Sequence, residues 1–139
     1  MLTYRAQLPH GYTSVRQARR ALRTFAETCG FRDTPLADVE NAAGEALANA
    51  AEHGNGIGSP DFDVSATFDG SRLVIEIDDH GRGFDAAAVL SRPAPDGGGH
   101  RGYGVFLMRT LMDEVRYDER GSRIQLVKRL DDRPLTSSR

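Results

Sequence analysis

Tryptophan is absent, cysteine occurs once, and no apolar run approaches the length of a membrane span. A lone cysteine, Cys29, excludes an internal disulfide, so the fold must rest on its core, and it suits a reducing compartment. The opening stretch "MLTYRAQLPHG" lacks the apolar centre of a signal peptide, so the expectation is a cytoplasmic protein without a membrane partner. An excess of one charge is missing too. Against 20 Asp plus Glu stand 18 Lys plus Arg, a net charge of −2, which argues against direct nucleic-acid binding by bulk phosphate neutralisation. Two common nucleotide-binding signatures are also lacking: there is no GxxxxGK[ST] run, and no GxGxxG turn follows the N-terminal strand pattern.

What is present is an ordinary globular composition. A chain of 139 residues with 39% hydrophobic and 27% charged residues is enough for one domain and one core. "LTYRAQL" alternates as a strand, ended by Pro9 and Gly11. In "SVRQARRALRTFAETCG", Val15, Ala18, Leu22, Phe25 and Ala26 recur at helical spacing, with Ser14 as cap and Gly30 as terminator. The other face of this helix carries Arg16, Arg19, Arg20 and Arg23, either a solvated basic face or a docking surface. A second helix is expected with Thr34 as N-cap, Pro35 at its first position, and Asp38 and Glu40 near the positive end of its dipole.

On that second helix Leu36, Val39, Ala43, Leu47 and Ala50 form an apolar stripe. In "GEALANAAEHG", Glu45, Asn49, Glu52 and His53 fall roughly opposite it, and the four-residue spacing stacks Glu45 and Asn49 one turn apart. Ala42, Ala46 and Ala48 leave room beside them. "GNGIGSP" reads as a loop, and "FDVSATF" and "RLVIEIDD" as a hairpin joined by Asp69-Gly70-Ser71. Residues 80–104 are rich in glycine, a long connection of the kind that is usually functional. "VFLMRTLMDEV" resumes helical spacing through Phe106, Leu107, Thr110 and Leu111, and a last hairpin turns at Arg120-Gly121-Ser122. The order β-α-α-β-β-lid-α-β-β predicts an α+β fold, a two-layer sandwich of helices on a mostly antiparallel sheet. Residues 1–130 form the domain and residues 131–139 a loose tail.

Three stretches carry chemistry. An amide oxygen such as that of Asn49 suits a hard cation, and a carboxylate one turn away, Glu45, can take a proton from a hydroxyl or a water. In "DDHGRGF", Asp79 at a strand end can accept a hydrogen bond from an exocyclic amine, with glycines that let a flat ring approach the backbone. In "GGGHRGYGVFLMRTL", glycines run into a helix start, where backbone N–H groups and the dipole favour phosphate.

Taken in order, these stretches resemble the nucleotide-binding boxes of the GHKL, or Bergerat-fold, ATPase superfamily, which includes gyrase and the histidine kinases. The pattern is most similar to its small branch of bacterial anti-sigma-factor serine/threonine kinases. "GEALANAAEHG" resembles "SEAxxNAxxHG", "DHGRGFD" resembles "DxGxGFD", "RGYGVFLMRTLMDEV" resembles "GxGLFLMxxLMDEV", and "GSRIQLVKRL" resembles "GTxVxLxKxL". The likeness implies a Bergerat-type ATP-binding fold with a glycine-rich ATP lid. It implies ATP and Mg²⁺ as cofactors, Asn49 as the metal ligand, and Glu45 as the general base toward a protein hydroxyl. Asp79 corresponds to the adenine-reading aspartate, Gly81 and Gly83 to the glycines beside the ring, and Gly102 and Gly104 to the phosphate-binding end of the lid. Ser122 stands where the family usually has a threonine beside Asp79; His53 and Arg101 are placed near the phosphates. His80 falls at a variable position and is expected to be exposed.

The implied function is an anti-sigma factor and protein serine/threonine kinase acting on a STAS-type anti-anti-sigma partner in partner-switching control of transcription. Two alternatives stay open: a switch kinase for a STAS protein without sigma-factor binding, and an ATP-dependent binding module without transfer. The Glu45/Asn49 pair speaks against the second, while the Arg-rich first helix leans toward sigma binding. The resemblance also implies a homodimer paired along "LTYRAQL".

Overall fold

A computed structural model describes residues 1–53, 61–80 and 100–130, without the side chains of residues 52, 53 and 100–103. Alternation decides the strands. In β2 (Asp61–Phe68) and β3 (Arg72–Asp78) every second residue is buried: Phe62, Val64, Ala66 and Phe68 on the one, Leu73, Ile75 and Ile77 on the other. Such a pattern leaves one face apolar and the other polar, and only the apolar face needs a cover. With β1 (Leu2–Pro9), β4 (Glu114–Tyr117) and β5 (Arg123–Arg129) they form a five-stranded antiparallel sheet of order β1-β2-β3-β5-β4.

Among the described residues three helices supply the cover: α1 (Tyr12–Cys29), α2 (Asp33–His53) and α3 (His100–Leu111). Helix α2 packs between α1 and α3 and lies over β3 and β5. Its expected apolar stripe, Leu36, Val39, Ala43, Leu47 and Ala50, is buried throughout. Phe31, fully buried between α1 and α2, meets Phe68 edge to face at 6.3 Å. Lys128, on the covered face of β5, donates from Nζ to the Leu111 carbonyl at 2.5 Å and pairs with Asp38 at 3.5 Å. One cation therefore satisfies the open end of α3 and ties it to α2. Among the described residues no helix is long and apolar enough to cross a membrane.

The predicted order of elements and the α+β layering hold; the details of the helices differ in three places. Helix α1 starts at Tyr12 behind Gly11, with no side-chain cap, and Ser14 is buried instead of capping. Helix α2 starts at Asp33, one residue before Thr34, after a backbone turn with Asp33 at φ 52°. Helix α3 turns Val105 and Met108 inward, with Met112 buried just past its end, leaving Phe106 43% exposed and Thr110 in solvent. Apolar residues surround most of α3, so the sequence does not phase it; packing against α2 does. Gly30 does end α1, in the left-handed conformation at φ 114°, and Gly70 at φ 103° makes the β2–β3 turn. The loop 54–60, the lid ahead of residue 100 and the tail 131–139 lie outside the described residues.

The basic face of α1 divides in two. Arg23 Nη1 lies 2.5 Å from Glu40 Oε1 and Arg19 Nε 3.3 Å from Glu40 Oε2, joining α1 to α2. Arg16 and Arg20 instead line a groove of about 720 Å³ beside Tyr4 and Phe25, between α1 and β1. The hydrogen bond from Arg23 holds the Glu40 carboxyl below the usual glutamate range, against an opposing effect of burial. A depressed folded-state value means that Glu40 stabilises the fold above its unfolded pKa and loses that contribution as pH falls through the folded one. Glu40→Gln is therefore expected to lower stability at about pH 7 by roughly 0.5–1 kcal/mol, and to match the parent at about pH 2. Urea titrations at the two pH values check this.

Candidate functional site

Helix α2 presents Glu45 and Asn49 on one face, and that face meets α3. Their contact is close. A Cβ built at Gly104 would lie 2.5 Å from Glu45 Oε2, 3.1 Å from its Cδ and 3.2 Å from its Cγ. The Glu45 side chain thus rests on the α3 backbone near that helix's opening end, a position that only glycine leaves open. The preceding residue serves the other neighbour: a Cβ at Gly44 would come within 2.7 Å of Arg19 Nη1. Gly44 is a residue the sequence reading did not single out, and only the α1–α2 approach reveals its use.

Asn49 Oδ1 is buried, and among the described residues no donor reaches it. An acceptor in that state costs on the order of 1–3 kcal/mol, so it is the atom in this face with most to gain from a ligand. As an uncharged hard oxygen it fits a magnesium ion or its water shell.

The second group forms at the end of β3. Alternation turns Ile77 and Asp79 to the helix-covered side and Asp78 to the open side. Asp79 is 7% exposed, and its backbone N–H donates to the Ser122 carbonyl at 3.0 Å. Ser122 is itself buried, its N–H held by Asp118 Oδ1 at 3.0 Å. The turn before β5 is thereby locked beside the aspartate.

His80 departs from expectation. It is not a free surface residue but takes a left-handed backbone, φ 56°, and its ring reaches back across the open face. Nε2 lies 2.7 Å from Asp63 Oδ2, and the backbone N–H donates to Asp78 Oδ1 at 2.9 Å. Arg123 holds the other Asp78 oxygen at 3.2 Å.

Of the predicted site residues, the structure brings Glu45 to Gly104 and Asp79 to Ser122, with Asn49 one turn beyond Glu45. His53 lies in α2, and Arg101 and Gly102 lie in α3, but the side-chain positions there are outside the description. Gly81 and Gly83 lie outside the described residues altogether.

Such a five-stranded antiparallel sheet, covered on one face and carrying an Asn/Glu helix face against a glycine-opened helix, has known relatives. The sequence pattern of the histidine kinase-like ATPase domain matches residues 8–128, and the chain belongs to that family. Within it the chain is similar to proteins named serine-protein kinase RsbW. That of Listeria monocytogenes serotype 4a (strain HCC23) is 29% identical over 123 residues, 81% of this chain and 78% of the relative. That of Staphylococcus epidermidis is 30% identical over 132 residues, 88% and 83% of the two chains. Among solved structures, the RsbU and RsbW domains of Rv1364c from Mycobacterium tuberculosis share the fold, with a TM-score of 0.65 at 19% identity over 93% of this chain. The match spans 32% of that longer solved chain.

Proposed function

We propose that this chain is an ATP-dependent protein serine/threonine kinase and anti-sigma factor, acting on a STAS-type anti-anti-sigma protein. Family membership and relatives named serine-protein kinases support the coarse activity. The observation that carries the site is the face of α2: a carboxylate seated on the α3 backbone at Gly104, with a buried amide oxygen one turn away that no donor reaches among the described residues.

The roles follow from the chemistry of each group. Asn49 Oδ1 holds Mg²⁺, which when bound offsets the charge of the phosphates. Backbone N–H groups at the opening turn of α3, at Gly102, receive phosphate oxygens, with His53 and Arg101 nearby, while Gly104, further in, admits the Glu45 side chain. Asp79 accepts from the adenine amine, Ser122 supports it, and Gly81 and Gly83 admit the ring. Glu45 takes the proton of the acceptor hydroxyl as that oxygen bonds to the γ-phosphorus and ADP departs with the electrons of the broken bond. Positioning and charge placement account for most of what such a transfer asks of a protein.

The basic, partly apolar groove at Arg16 and Arg20 supports a protein-docking role, and β1, which ends the described sheet, supports pairing of two copies. The test is incubation with labelled ATP and a STAS-domain protein from the same organism, then sigma-factor capture with ADP or ATP present. Label on a serine or threonine and nucleotide-dependent capture are expected. Label without capture leaves a switch kinase; neither, with ATP still bound, leaves a binding module. Asp79→Asn is expected to weaken ATP by about ten- to a hundredfold, the worth of one charge-assisted hydrogen bond. Calorimetry showing parental affinity would remove Asp79 from the adenine role.

A further inference from the structure

We infer that His80 is a positioning residue for nucleotide recognition: its clamp on the open face of the sheet fixes the direction of Asp79 on the covered face. The inference rests on the reading of Asp79 as the adenine acceptor. Asp63 and Asp78 stand directly opposite in the β2–β3 register, two like charges on one face. Opposed carboxylates repel, so a third group between them is required to quiet the pair. Arg123, opposite Asp78 on β5, serves one side, at 3.2 Å from Asp78 Oδ2. His80 serves the other. Its ring spans the pair, with Nε2 at 2.7 Å from Asp63 and Nδ1 at 3.5 Å from Asp78, while its backbone N–H bonds Asp78 Oδ1.

That grip has a geometric consequence. A histidine at φ 56° is in a region most side chains avoid, and it stays there only when its surroundings hold it. The ring on Asp63 and the N–H on Asp78 do so, and they turn the chain sharply just after Asp79. Asp79 is then fixed from both directions: its own N–H is pinned on Ser122 and the following residue is pinned on the far side of the sheet. A contact through the sheet thus governs a carboxylate that it never touches.

The test compares ATP with inosine triphosphate, which carries an oxygen where adenine has the amine. Binding of both is measured by calorimetry to the parent, His80→Gly and Asp63→Ala, and to the double variant, with thermal midpoints recorded. Glycine removes the backbone strain along with the ring but leaves Asp63 and Asp78 opposed, so the two effects offset and His80→Gly is expected to keep a midpoint within about 5 °C of the parent. Each single variant is expected to lose about three- to tenfold of the ATP preference, and the double variant to lose no more than either, because both cut one linkage. A fall in affinity for both nucleotides alike would reduce His80 to a structural part and overturn the inference. So would a parental preference in either single variant. A parent without any preference would instead overturn the assignment of Asp79 itself.

Discussion

Glu45→Gln is expected to lower phosphoryl transfer by about 10²–10⁴-fold while leaving ATP affinity within about threefold of the parent. The amide keeps the size and the contact with α3 but cannot accept the proton of the acceptor hydroxyl. Gly104→Ala is expected to reach the same step from the other side. Its new Cβ would fall 2.5 Å from Glu45 Oε2, so the carboxylate must move, and a displacement of that kind can cost up to about 10²-fold in rate. Shortening the displaced side chain supplies the control. Gly104→Ala/Glu45→Asp is expected to transfer faster than Gly104→Ala alone, since aspartate withdraws the carboxylate by one methylene, whereas Gly104→Ala/Glu45→Gln is not. Single-turnover transfer of labelled phosphate, with nucleotide affinity measured in parallel, reads all four variants. Transfer by Glu45→Gln at the parental rate would dismiss the base assignment.

The same contact marks a boundary of what sequence can reveal. Spacing alone stacked Glu45 on Asn49, because a helix repeats every 3.6 residues whatever surrounds it. Spacing could not seat Glu45 on Gly104, which belongs to a helix far along the chain; only the resemblance to a family placed those stretches in one site. The strands were legible for a similar local reason. "FDVSATF" and "RLVIEID" alternate without a break, and Asp69-Gly70 supplies both the side-chain acceptor and the positive φ of their turn.

Where a choice was tertiary, local reasoning failed. Ser14 has the right chemistry for a cap, yet α1 begins earlier and draws that serine inward. Helix α3 is apolar on too many sides for periodicity to select Val105 and Met108 as its buried face. The misreading of His80 is of the same kind: its partners lie on the same strand, at Asp78, and on the neighbouring one, at Asp63, and the second is fixed only by register. A reader who had set the two strands in register would have seen two aspartates opposed and looked for what separates them.

Asn49→Ala is expected to split stability from function. Removing a side chain usually destabilises, but here the side chain removed carries a buried acceptor that no donor reaches among the described residues, a burden of about 1–3 kcal/mol in the unliganded protein. Alanine also favours the helix by about 0.5 kcal/mol over asparagine. Lost packing offsets part of both, so the unliganded variant is expected to unfold at the parental urea midpoint or up to about 1 kcal/mol above it. Binding should move the opposite way. With no amide oxygen for the metal, affinity for Mg²⁺-ATP is expected to fall by at least about 100-fold, while metal-free ADP changes far less. An oxygen kept for structure would give the reverse pattern, a destabilised variant that still binds Mg²⁺-ATP. An idle one would change neither measurement. Only a group held unsatisfied in the fold for the sake of its ligand gains stability and loses binding in the same substitution.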